Sequence, residues 1–222
     1  MINVKNYTPP PFDRDEILRY AGVREKSDEI VELLNEAIAE AEKVLTYRAC
    51  WGEFALIRDG NTLDFGFGRF ESSALAKSLA DCRLSIVFAT TVGIGLDRLI
   101  AKYGTASPAK ALMLQAIGAE RIESLCDAFC REVKAEHQSC ETEITRRFSL
   151  GYGDLKLEAQ KDIFRALDCS RKIGLTLNES LIMSPSKSVT AIIGIKNGAP
   201  HEKEADACEL CGKADCLLRR NK

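Results

Sequence analysis

The stretch CRLSIVFATTVGIGLDRL, Cys82–Leu99, decides the fold class. Cys82–Thr91 is apolar and rich in β-branched residues, as a buried strand requires. Gly93 and Gly95 interrupt it, and a helical pattern runs from Gly95 to Lys102. Strand, Gly-x-Gly and helix is the order of a phosphate-cradling loop. However, the third glycine of that motif would fall at Arg98, too bulky for close helix–strand packing. Thr91 also stands where a Rossmann-type methyltransferase would carry an acid. The glycine pair therefore reads as a strand-to-helix turn that needs flexible backbone.

Upstream, residues 1–12 form an extended leader, because Pro9-Pro10-Pro11 has no N–H donors and cannot nucleate a helix. Asp13–Tyr20 is a short helix closed by Gly22. Ser27 caps a second over 28–45, with Ile30, Leu34, Ala37, Ala41 and Leu45 at helical spacing. Tyr47–Arg58 and Thr62–Phe67 flank Asp59-Gly60-Asn61 as a hairpin, and 71–80 returns to helix.

Downstream, Pro108 to about Glu136 is one long helix. Leu112, Ala116, Ala119, Ile122, Cys126, Phe129 and Val133 mark its apolar stripe, and Glu120, Arg121, Asp127 and Arg131 its wet side. Thr145–Gly151 is extended, Leu157–Leu167 helical, and Lys172–Asn178 and Ser188–Ile195 extended again. Elements interleaved this irregularly predict an α+β fold, a largely antiparallel twisted sheet with packed helices, over a parallel βαβ array.

Composition narrows the function. The 222 residues carry 31 Lys and Arg against 33 Asp and Glu, and a near-neutral chain lacks the basic face that nucleic acid needs. The longest apolar run, Leu84–Leu96, has 13 residues, short of the ~20 that span a membrane. The first residues, MINVKNYTPPPFDRDE, contain no apolar signal core. Nine cysteines, an odd number, predict reduced thiols and a cytoplasmic location.

Two segments carry chemistry. In RRFSLGYGD, Arg146–Asp154, Arg147 precedes Gly151-Tyr152-Gly153 by four residues. That sets a forked cation beside backbone able to approach a ligand, with an aromatic face for an adenine ring or a sulfonium. The residues equally suit a surface arginine ahead of a glycine turn. Near the C-terminus, Cys208, Cys211 and Cys216 have the spacing of thiolates closing on zinc or an iron–sulfur cluster; the other reading is a thiol-bearing tail without metal. Cys50, Cys82, Cys126, Cys130, Cys140 and Cys169 read as small core residues, and His137 as a solvated helix end.

Arg147-x-x-x-Gly151-Tyr152, then a helix, then Leu177-Asn178-Glu179-Ser180-x-x-Met183-x-Pro185-x-x-Ser188-Val189-Thr190 resembles the activation domain of cobalamin-dependent methionine synthase. Ala116-Ile117-Gly118-x-x-x-Ile122-Glu123 resembles the family helix that brings an acid to the same site. The likeness covers residues from about 80 to 197, and the chain is most similar to the small free-standing versions of the domain. Leu150 departs from the family's usual proline.

The resemblance implies an activation-domain-like unit over 1–197, whose helical N-terminal part is about 13–46, and a Cys-rich tail over 198–222. It implies an S-adenosylmethionine site in which Arg147 holds the ligand carboxylate and Glu123 lies near its ammonium or sulfonium. Ser149, Gly151 and Tyr152 would line that site. It further implies a cobalamin-binding methionine synthase as partner and flavodoxin or ferredoxin as electron donor for reductive methylation of cob(II)alamin. This activation subunit would contribute positioning, so no catalytic side chain is expected. The only histidines, His137 and His201, stand in no Asp-x-His pattern, so the corrinoid is expected on the partner. The competing readings are an iron–sulfur electron-transfer protein and a ligand-free adaptor of a corrinoid methyltransferase.

Overall fold

The computed structural model describes residues 1–137 and 142–197. In chain order the elements are β1 (Ile2–Asn6), α1 (Arg14–Tyr20), α2 (Asp28–Ala41), β2 (Arg48–Ala55), β3 (Ile57–Asp59), β4 (Thr62–Asp64), β5 (Arg69–Glu71) and α3 (Ser73–Ser78). Then follow β6 (Cys82–Thr91), α4 (Ile94–Ala106), α5 (Pro108–His137), β7 (Thr142–Ile144) and β8 (Phe148–Ser149). Last come α6 (Ala159–Leu167), α7 (Cys169–Ile173), β9 (Thr176–Leu177), β10 (Met183–Ser184) and β11 (Ser188–Asn197).

The main sheet has the order β1-β2-β6-β11-β7, with β8 also on β11, and every pair is antiparallel. The α+β expectation therefore holds. Alternation along the central strands assigns the two faces. Ile86, Phe88, Ala191 and Ile193 pack on Cys126, Phe129 and Val133 of α5. Val87, Ala89 and Ile192 point the other way, toward Leu75, Ile163, Leu167 and Ile173 of the shorter helices. The first half of α5 leaves the sheet and packs on α1, α2 and α4 through Ile17, Leu34, Ile38, Leu96, Leu114 and Ile117. One 30-residue helix, about 45 Å long, thus ties the helical part to the sheet.

The glycine pair after β6 serves packing. Gly93 has φ of +85°, and a Cβ on Gly95 would come within 2.5 Å of the Val44 carbonyl. The turn is glycine-rich because the segment after α2, at Val44 and Thr46, is pressed against it. Among the described residues no helix is long and apolar enough to cross a membrane.

Several expectations need correction. Glu120 and Arg121, assigned to the wet side of α5, are 1% and 0% exposed. Arg121 donates from Nη1 to the Pro10 carbonyl (2.6 Å) and from Nη2 to the Pro11 carbonyl (2.7 Å), and pairs with Glu120. Its guanidinium also lies 4.0 Å from the Phe12 ring centroid. The proline leader supplies carbonyls without N–H groups, so a buried arginine satisfies it. Part of that leader is strand β1, paired to β2.

Leu112, placed on the apolar stripe, is 55% exposed. The helix expected over 28–45 ends at Ala41, and the hairpin over 47–67 splits at Leu56: β2 joins the main sheet, whereas β3 and β4 form a small sheet with β5. Residues 169–173, partly read as extended, form α7, which closes on Gly174 at φ of +71°.

Candidate functional site

The segment between β7 and β8 runs along the edge of β11. Thr145 donates its N–H to the Gly194 carbonyl (2.9 Å), and Gly194 donates back to Thr145 Oγ1 (2.8 Å). Phe148 then registers with Ile192, and Ser149 with Ala191. Phe148 is buried in the core on the far face, so the period of two puts Arg147 and Ser149 on the face that carries α5.

There Arg147 meets two carboxylates one helical turn apart. Nη2 pairs with Glu123, and Nη1 lies 3.5 Å from Asp127 Oδ1. Nη1 is buried and has no hydrogen-bond partner. The arginine side chain as a whole is 23% exposed, so other parts of it reach solvent while Nη1 itself does not. Burial works against the charge, but the anionic neighbours, with the carboxylates of Glu123 and Asp127 among them, outweigh it and hold the guanidinium above its ordinary value. Burial pushes the neighbouring Cys126 thiol up to about 12 and that of Cys130 up to about 11. Neither is a thiolate near neutrality, which removes both as nucleophiles. The arrangement suits binding through charge and forked hydrogen bonds.

The loop that follows is fixed by backbone geometry and one aspartate. Gly151 and Gly153 have φ of +81° and +61°, a region costly for residues with a Cβ. Asp154 accepts from the backbone N–H of Ser73 (2.8 Å) and Ala74 (3.1 Å) and from the hydroxyls of Ser72 and Ser73. The Ser72 hydroxyl first, then Ser73 and the two amides, hold its carboxyl far below the usual range.

Of the residues expected to form the site, the structure brings Glu123 and Arg147 into direct contact. Ser149 shares their face at the sheet edge and is exposed. Gly151 and Tyr152 follow on the turn. Tyr152 is 67% exposed, and its ring stands edge-on to Phe148 at 5.8 Å between centroids. Leu150, at the position of the family's proline, is buried in the core. Two clefts lie nearby. One of about 450 Å³ is lined by Phe70, Ser72, Asp154 and Leu155, and one of about 610 Å³ by Phe164, Leu175, Leu177 and Asn178. Neither is lined by Arg147 or Glu123.

The downstream motif forms the β9–β10 hairpin, where Asn178 Oδ1 accepts from Ile182 N at 2.9 Å. Asp97 accepts from Ser186 N (2.7 Å) and its hydroxyl (2.6 Å), tying the entry of β11 to α4.

Sequence reasoning missed the roles of Asp127 and Asp154. Asp127 is four residues after Glu123, the spacing that repeats on one helix face, and that was the signal available. Among the described residues no group of three or more His, Cys, Asp or Glu could hold a metal ion. Cys208, Cys211 and Cys216 lie outside the described residues.

Residues 76–201 match the family described as vitamin B12 dependent methionine synthase, activation domain. No curated protein sequence matches the chain. Among solved structures, the fold is similar to the crystal structure of the MetH reactivation domain bound to AdoHcy, with a TM-score of 0.63 and 15% identity. That alignment covers 92% of this chain and 80% of the other.

Proposed function

The chain belongs to the activation-domain family of vitamin B12 dependent methionine synthase, and on that premise we propose that it binds S-adenosylmethionine beside Arg147 and reactivates a cobalamin-carrying methionine synthase. The observation that carries the reading is the buried Nη1 of Arg147, a charged donor without a hydrogen-bond partner next to a glycine turn. A ligand carboxylate would satisfy it in a fork. Glu123 would face the ligand's cationic end, and Ser149, Gly151 and Tyr152 would line the remainder. The ligand that the related reactivation domain holds, AdoHcy, is of the same chemical class.

Bound there, S-adenosylmethionine supplies a methyl group to the partner's corrinoid once flavodoxin or ferredoxin has delivered one electron to it. The chain's own residues bind and orient. Arg147 fixes the amino-acid end, and the loop tethered by Asp154 presents a pre-formed rim. Residues 1–197 would act as one unit in this, and the tail over 198–222 would hold zinc or an iron–sulfur cluster through its three thiols. The setting we propose is cytoplasmic, where thiols stay reduced.

Calorimetric titration of the purified chain with S-adenosylmethionine tests the reading. Saturable binding is expected. A chain that binds nothing but still docks on the synthase would be an adaptor. Visible charge-transfer absorption without ligand binding would instead mark an electron carrier.

A further inference from the structure

Arg147 is engaged by Glu123, with Asp127 3.5 Å from its second nitrogen. Two carboxylates thus face one guanidinium, leaving a local excess of one negative charge. Arg131, the next cation along α5, is exposed and screened by water. An entering carboxylate must share or displace Glu123 on Arg147. The displaced Glu123, 33% exposed, is then a half-buried anion beside two others. Such crowding is unfavourable unless the ligand brings positive charge with it.

We infer that Glu123 and Asp127 set the charge selectivity of this site, admitting α-amino acids over plain carboxylates and a sulfonium over a neutral thioether. This rests on the ligand reading above and adds to it a rule for which ligand the site retains. S-adenosylmethionine has one more positive charge than the thioether left after methyl transfer. An anionic site therefore holds the methyl donor and releases the spent product, which keeps the product from blocking the next turnover.

The test is calorimetry on the full chain with three probes: S-adenosylmethionine, S-adenosylhomocysteine, and S-adenosylhomocysteine with hydrogen in place of the α-amino group. Wild type is expected to prefer the sulfonium over the thioether by roughly two- to fivefold, the scale of one partly screened charge pair. Glu123→Gln should shrink that preference and bind the deaminated probe more tightly than wild type does. A gain of this kind cannot come from damaged structure. Asp127→Asn, at a residue 48% exposed, should shift the preference the same way with the fold intact. Equal loss for all three probes, or an unchanged preference in both variants, would overturn the selectivity role while leaving the site in place. If wild type binds none of the probes, the ligand reading itself is wrong.

Discussion

Arg147, on the edge of the main sheet, is ion-paired to Glu123, 24 residues earlier on α5. The contact joins the element that supplies the glycine loop to the helix that spans both halves of the fold. A site built this way has its cation fixed from below and its loop fixed from the side, before any ligand arrives.

Arg147→Ala should weaken S-adenosylmethionine binding by about 1.5–3 kcal/mol, the range for hydrogen bonds to a charged group. Arg147→Lys should recover only part, since a point charge cannot fork onto a carboxylate. Calorimetry reads both, and unchanged affinity in the two variants would take Arg147 out of the site. Thermal unfolding should shift little, because Glu123 still reaches water.

Arg121 answers to a different experiment. Arg121→Met strips the Pro10 and Pro11 carbonyls of their donors and leaves Glu120 buried without its cation. A loss of about 3–5 kcal/mol in urea unfolding is expected. The double variant Glu120→Gln, Arg121→Met should recover a clear part of it, because the unpaired charge is gone. Two variants equally unstable would show that the lost carbonyl contacts dominate instead.

Acid should loosen the loop through Asp154. Its carboxyl is held below the ordinary value of about 3.9, so its contribution to stability is complete above that pH and fades as pH falls toward the folded-state value. Asp154→Asn should therefore lower stability at neutral pH and flatten the acid limb of the melting curve. A variant whose acid limb parallels wild type would place the effect elsewhere.

The elements that sequence reading caught are those with one dominant local signal. Cys82–Thr91 is β6 to the residue, and Ser27 caps α2 as its side chain suggests. What it missed depends on partners distant in sequence. Glu120 and Arg121 look like solvent residues until the leader, 110 residues away, folds over them. α7 had a signal, since Arg171 and Lys172 stand just ahead of Gly174, but the apolar run beyond outweighed it. Within the site, glycine spacing made the Arg147–Gly153 loop legible. The partnering of Arg147 with Asp127 needed the sheet edge and α5 brought together first, and that of Asp154 with Ser72 and Ser73 needed the start of α3 brought to the loop.

The tail makes its own prediction. Anaerobically purified chain should contain zinc or iron near one site's worth, and Cys211→Ser should lose it. Metal content unchanged by that substitution would assign the metal to other ligands.

Reconstitution tests the central claim most directly. Oxidised corrinoid protein, reductant and S-adenosylmethionine are combined with and without the chain, and formation of the methylated corrinoid is followed by its absorption. The account predicts methylation that depends on the chain and falls sharply with Arg147→Ala. Equal rates with and without the chain would contradict it.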